Sequence, residues 1–188
     1  KGMLGHVVLT YFKEKKYFEV KSIARDDRFF VPDFSLDICN LKKLDKIIYQ
    51  FKPNYIINCV GILNKNAENN PDKAIFINSY LPHYISVNFK NISKLIHIST
   101  DCVFSGKKGK YLISDLKDGQ GIYAKTKSLG EVINQKDLTI RTSIVGPELK
   151  NDGIGLLHWA LSNTENKIKG FKSVYWSGIT TLQLAKSL

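Results

Sequence analysis

At 188 residues and 21.3 kDa the chain can bury one sizeable core, at most one domain and part of another. Hydrophobic residues make up 43% and charged residues 24%, which argues against disorder; no apolar run reaches the ~20 residues of a membrane helix, and Lys1 to Thr10 turns polar too soon for a secretion signal. Three cysteines, Cys39, Cys59 and Cys102, have no paired short spacing, which argues against a disulfide framework or a CxxC metal knuckle and fits a reducing cytoplasm. The net charge of +11 is carried by scattered lysines, with no arginine-rich arm and no aromatic-interleaved basic stripe. It reads as a solvated surface rather than a nucleic-acid or membrane face, although a field of this sign helps to collect a phosphorylated ligand.

In chain order, Gly2 to Lys16 reads as a helix opening on glycines, with Leu4, Val7, Val8, Tyr11 and Phe12 at helical spacing. Phe18 to Ala24 reads as a strand, Leu41 to Phe51 as a helix stopped by Lys52-Pro53, and Tyr55 to Val60 as a short buried strand. Asp72 to Phe89 reads as a long helix, Lys94 to Ser99 as a strand, Ser105 to Gly119 as a loop and Tyr123 to Asn134 as a helix. Leu138 to Ile144 reads as a strand stopped by Gly146-Pro147, followed by a helix around Gly155 to Ser162 and a helical start at Thr180 to Leu188. Strands spaced by helices predict an α/β fold of Rossmann type, a doubly wound parallel sheet with ligands beyond the carboxyl ends of its strands.

Gly2-Met3-Leu4-Gly5 reads as the second half of a GxxGxxG turn, suited to a backbone that approaches a pyrophosphate at a helix N-terminus. The first glycine and the strand before it would lie upstream, and LQLAKSL stops within a helical pattern, so the expectation is a piece of a longer protein. The expected division is 1–146 as a nicotinamide-nucleotide-binding domain and 147–188 as part of a smaller substrate-binding lobe.

The most informative constellation is Ser99-Thr100-Asp101 followed by Tyr123-Ala124-Lys125-Thr126-Lys127. Tyr123 and Lys127 are four apart, so a helix puts them on one face. A phenol with a pKa near ~10 is a poor acid–base catalyst at neutral pH, and an adjacent ammonium lowers that value. With a strand-end hydroxyl the set forms a proton relay for carbonyl reduction. Arg25 ends the second strand, where an acid usually binds the ribose hydroxyls of NAD; an arginine there suits a 2′-phosphate, which favours NADPH with NADH as the alternative. His6, His83, His97 and His158 have no ligand spacing, and no metal is expected; His97 reads as a satisfied core residue.

STDCVFSGKKGKY, YAKTKSLGE and RTSIVGP together resemble the extended short-chain dehydrogenase/reductase superfamily, and within it the dTDP-4-dehydrorhamnose reductase group of nucleotide-sugar enzymes. The resemblance implies Thr100, Tyr123 and Lys127 as the catalytic set, with Tyr123 protonating a sugar 4-keto oxygen. It places Gly2, Met3 and Leu4 under the cofactor pyrophosphate, Asp37 and Ile38 beside the adenine, and Cys59, Val60, Gly61, Asn78 and Ser99 along the cofactor groove, where Tyr123 and Lys127 also touch the nicotinamide ribose. Asp101, Val103 and Phe104 would face the substrate, joined by Tyr175 and Trp176 from the second lobe. The chain departs from the pattern at Cys102, where an aromatic is usual, at Ile113 and Ala124, and at Tyr175 to Gly178; these touch sugar specificity rather than hydride chemistry. The implied activity is NADPH-dependent reduction of a nucleotide-linked 4-keto-6-deoxy sugar for surface polysaccharide, with a homodimer left open. The alternatives are a nucleotide-sugar epimerase or dehydratase holding NAD, and a non-catalytic NADP-binding regulatory subunit like that of methionine adenosyltransferase.

Overall fold

A computed structural model describes residues 2–150, 153–164 and 167–188. The elements are α1 (Gly5–Lys13), β1 (Ile23–Ala24), β2 (Phe34–Ser35), α2 (Leu41–Phe51), β3 (Tyr55–Asn58), α3 (Asn64–Asn69), α4 (Pro71–Ala74), a π-helical turn (Ile75–Tyr80), α5 (Leu81–Asn88), β4 (Lys94–Ile98), a 3₁₀ turn (Asp101–Val103), α6 (Gly121–Leu129), β5 (Leu138–Ile140), β6 (Ile144–Val145), α7 (Leu156–Leu161), β7 (Ile179–Thr180) and α8 (Thr181–Ser187). They form two compact units, Leu36–Thr142 on one side and the residues up to Ser35 with those from Ser143 on the other. Among the described residues, no helix is long and apolar enough to cross a membrane.

In the Leu36–Thr142 unit, β3, β4 and β5 form a parallel sheet in that order, with Asn58 opposite His97 and Ile98 opposite Ile140. Parallel strands need long crossovers, and helices supply them. The α2 helix starts at Asn40, whose side chain accepts the Lys43 N–H at 3.1 Å, and stops at Lys52 in the left-handed region before Pro53. Leu44 and Ile48 are its buried stripe. Tyr84 of α5 donates to both Asp45 oxygens at 2.8 and 2.9 Å, and Phe89 packs edge-on against Tyr49 and Tyr84.

The predicted long helix is present from Pro71 to Asn88 but swells into the π-helical turn midway, where the Leu81 N–H reaches back to the Phe76 carbonyl. Pro82 is the physical reason: it has no N–H to offer the Asn78 carbonyl four residues earlier. Gly130, just past α6, lies directly against that carbonyl and Ser79 Cα, so closely that a Cβ would overlap the Asn78 oxygen. Ser79 Oγ donates to the Thr126 carbonyl at 2.8 Å and seals the same contact.

In the other unit, β1 pairs parallel with β2 and β6 parallel with β7. Thr180 caps α8 by accepting the Gln183 N–H at 3.0 Å, and α1 packs on α8, with Val8, Leu184 and Ala185 buried.

Several predicted elements shrink. The strand expected over 18–24 is two residues, and that over 138–144 is split into β5 and β6. The α6 helix ends at Leu129 rather than Asn134 because Gly130 must meet the π turn. The α3 helix went unpredicted: its sequence NKNAEN carries one buried apolar residue, Ala67, and so no hydrophobic period.

Gly130→Ala is expected to lower stability by about 2 kcal/mol, because the neighbour that must yield is backbone. Urea unfolding of the two proteins measures it, and an equal midpoint would contradict the close contact.

Candidate active site

The site lies in the Leu36–Thr142 unit, beyond the carboxyl end of β4. After Ile98 the chain extends through Ser99 and Thr100 and tightens into the 3₁₀ turn, with Thr100 Oγ1 accepting the Cys102 N–H at 3.1 Å. Thr100 is buried, its hydroxyl donates to Asp101 Oδ1 at 3.3 Å, and it lies near enough to the Tyr123 phenol to favour the ionised form. The Glu68 carboxylate accepts the Ile122 N–H at 2.6 Å and so fixes the start of α6. Lys127, 4% exposed, donates from Nζ to the Ile98 carbonyl at 2.6 Å. The structure thus brings the predicted Thr100, Tyr123 and Lys127 together.

Burial governs the protonation of both helix residues. It pushes the Tyr123 phenol above its ordinary value, against a smaller opposite pull from Thr100. It drives Lys127 down to about 8, with Glu131 pulling the other way. The expected lowering of the tyrosine by the lysine is therefore corrected: desolvation dominates, and the ammonium spends a hydrogen bond on Ile98. Burial also raises the Cys59 thiol to about 12 and lifts Cys102, so both cysteines are thiols at neutral pH.

The remaining predicted residues divide by burial. Asn78 is fully buried: its Oδ1 accepts the Ile62 N–H at 2.8 Å, and its Nδ2 donates to the Ile62 carbonyl at 2.9 Å and to Thr126 Oγ1 at 3.1 Å. Its side chain clamps the backbone beside Gly61. Val60 and Gly61 are exposed and Cys59 is half-buried at the end of β3. Ser99 is buried and donates to Glu131 Oε1 at 2.8 Å. Val103 is fully buried, a correction to its expected place against substrate: the 3₁₀ turn directs it into the core. Asp101 and Phe104 are half-buried, and Phe104 stacks on Tyr111 with centroids 4.3 Å apart. Asp37 accepts the Cys39 N–H at 2.9 Å in a turn beside half-buried Ile38. Gly2, Met3, Leu4, Arg25, Tyr175 and Trp176 belong to the other unit. There Leu4 is buried, Arg25 is exposed after β1, Tyr175 is 95% exposed, and Arg28 pairs with Asp26 at 2.9 Å.

His97 corrects another expectation. Asn58 Oδ1 accepts the Val60 N–H at 3.1 Å, which turns its amide nitrogen onto His97 Nδ1 at 3.1 Å. Nδ1 then accepts and the proton sits on Nε2, which is buried with no partner among the described residues. Burial holds this ring neutral, with its pKa down to about 3. Among the described residues there is also no cluster of three groups that could hold a metal ion.

Sequence reasoning quoted Glu131 within YAKTKSLGE and Arg141 within RTSIVGP but gave neither a role; the Glu131 side chain is 1% exposed. Its carboxylate receives Ser99 Oγ, Arg141 Nε and Arg141 Nη2 at 2.8 Å each and Lys117 Nζ at 3.1 Å. These donors outweigh burial and hold the carboxyl below its ordinary value. One signal was available: Arg141 is one of three arginines in a lysine-rich chain, and arginine is the residue for bidentate carboxylate pairing.

The donor set fits a nicotinamide nucleotide. An ammonium has three N–H donors, and Lys127 commits one of them among the described residues, one helical turn on from the Tyr123 phenol on α6. A ribose diol and a substrate carbonyl are suitable acceptors for such a group.

Parallel strands crossed by helices define an α/β fold of Rossmann type, with Thr100, Tyr123 and Lys127 at the end of β4. The chain belongs to the family described as the RmlD substrate binding domain, whose model matches residues 1–168. It is 31% identical over 159 residues to a dTDP-4-dehydrorhamnose reductase of Aggregatibacter actinomycetemcomitans, covering 80% of this chain and 51% of that one. It is 30% identical over 133 residues to methionine adenosyltransferase 2 subunit beta of Bos taurus, covering 69% and 39%. A crystal structure described as a hypothetical dTDP-4-dehydrorhamnose reductase from Sulfolobus tokodaii superposes with a TM-score of 0.82 at 28% identity, over 99% of this chain and 67% of that one. The chain therefore spans about half the length of these curated relatives or less.

The depressed Lys127 pKa sets a pH dependence of stability. Between about 8 and the ordinary lysine value the unfolded state binds more protons than the folded one, so stability rises with pH through that window. The cost of burying the ammonium is in full force below about 8. Urea unfolding from pH 7 to 10 should show this rise in the wild type relative to Lys127→Met; parallel curves would refute the buried ammonium.

Proposed function

We propose that the whole protein reduces the keto group of a nucleotide-linked 4-keto-6-deoxy sugar with NADPH, in a cytoplasmic route to surface polysaccharide. The observation that carries this reading is the convergence of Thr100, Tyr123 and Lys127 at the end of β4, in a chain of this family. The nicotinamide, when bound, supplies the hydride. Tyr123, kept protonated by burial, gives its proton to the carbonyl oxygen as that oxygen gains charge. Thr100 holds the phenol in place. Lys127 holds the ribose hydroxyls with its remaining donors and steadies the phenolate until a proton returns from solvent.

Arg25 supports NADPH over NADH. It is exposed after β1, and the neighbouring Asp26 carboxylate, which would otherwise suit ribose hydroxyls, is engaged by Arg28. Residues 147–188 would supply part of the substrate lobe, with Tyr175 and Trp176 offering aromatic faces to a sugar or base. The beta-subunit relative motivates a second reading, a chain that binds nucleotide and acts through a protein partner.

NADPH oxidation by the full-length protein against dTDP- and UDP-linked 4-keto-6-deoxy sugars tests this. Turnover is expected, with Tyr123→Phe at least ~100-fold slower. NADP binding without turnover on any sugar would favour the second reading.

A further inference from the structure

We infer that Glu131 is a positioning residue: its carboxylate fixes the Ser99–Thr100 strand end against α6 and, through Arg141, holds the 104–119 loop in the same frame. The catalytic consequence rests on the reductase reading above; the positional claim does not.

Tyr123 and Lys127, four apart, share one face of α6, and Glu131 follows two residues past the helix end. Together they reach three successive residues of the strand end. Tyr123 lies near the Thr100 hydroxyl, Lys127 meets the Ile98 carbonyl at 2.6 Å, and Glu131 meets the Ser99 hydroxyl at 2.8 Å. Ser99 has a second anchor, its N–H donating to the Ile140 carbonyl at 2.7 Å. Thr100 thus inherits its place from a neighbour held at both backbone and side chain.

The same carboxylate reaches the loop through its partner. While Nε and Nη2 of Arg141 clasp Glu131, Nη1 donates to the Ile113 carbonyl at 3.0 Å and the guanidinium lies 5.0 Å from the Phe104 ring centroid. Lys117, within the loop, supplies the other charge on Glu131. The loop closes on itself through Ser105 Oγ and Asp118 at 2.6 Å and the Phe104–Tyr111 stack. Its ties to the rest of the unit are this cluster, Lys117 Nζ on the Ser128 carbonyl at 3.2 Å and the Gly119 N–H on the Val103 carbonyl at 2.9 Å. Phe104 and Asp101, expected to face substrate, flank the turn where the loop begins.

The test compares the full-length wild type with Ser99→Ala, Glu131→Gln and Arg141→Lys, by hydrogen exchange of the 104–119 amides and by steady-state kinetics. Glu131→Gln is expected to lower kcat about 100-fold with unchanged NADPH affinity and to speed exchange across 104–119. Ser99→Ala should lower kcat with the loop still protected. Arg141→Lys should loosen the loop and raise KM for the sugar more than it lowers kcat. A folded Glu131→Gln protein with wild-type kcat and wild-type loop protection would overturn the inference. If that variant does not fold, wild-type kcat in Ser99→Ala together with wild-type loop protection in Arg141→Lys overturns it instead. A wild type without turnover defeats the reductase reading alone, since loop exchange still decides whether Glu131 and Arg141 hold the frame.

Discussion

A carboxylate enters a protein interior only when its charge and its lone pairs are answered. Glu131 meets that condition with four donated hydrogen bonds from three side chains, on the loop, at the end of β4 and just beyond β5. The ends of β4 and β5 are already joined there by the Ser99 N–H donating to the Ile140 carbonyl at 2.7 Å, but the loop has no such ladder. The strand β5 has three residues and the loop has no regular structure. The placement of the loop against these strand ends therefore leans on satisfying one buried charge. Removing Arg141 would take two of the four donors and the nearer positive charge from a buried carboxylate, so these pairs count for more than surface pairs worth little each.

A second constraint seats α6. Pro82 interrupts helical bonding, the π turn opens, and the Asn78 carbonyl is left facing Gly130. The Asn78 side chain meanwhile spans from the Ile62 backbone to Thr126. A helix irregularity that would be costly alone is offset by letting α6 approach closely. That approach delivers Tyr123 and Lys127 to the strand end.

The chemistry follows from the same burial. Removing the phenol and the ammonium from water disfavours the charged form of each, so the tyrosine rises and the lysine falls. A tyrosine that keeps its proton at neutral pH is suited to donate it when charge develops on a nearby oxygen. Lys127, with a pKa near 8, is a cation at pH 7, held on the Ile98 carbonyl. His97, neutral in the core beneath, adds no competing charge.

Much of this was legible in the chain itself. Alternating apolar strands and amphipathic helices predicted a parallel α/β sheet, and α2 appears with the predicted bounds because its stripe, cap and Pro stop all agree. Tyr123 and Lys127 were legible because a helix converts a spacing of four into a shared face. Several features were not legible. The polar α3 carries no period, His97 lacks a second partner, and Val103 turns inward. Asn78 proves to be a backbone clamp, and Glu131 finds Ser99, Arg141 and Lys117 at separations of 32, 10 and 14 residues. Local pattern encodes what a residue does within a turn or two of its own element. The partner of a buried polar group is chosen by which distant segments packing brings beside it, and that was decided only in the tertiary structure.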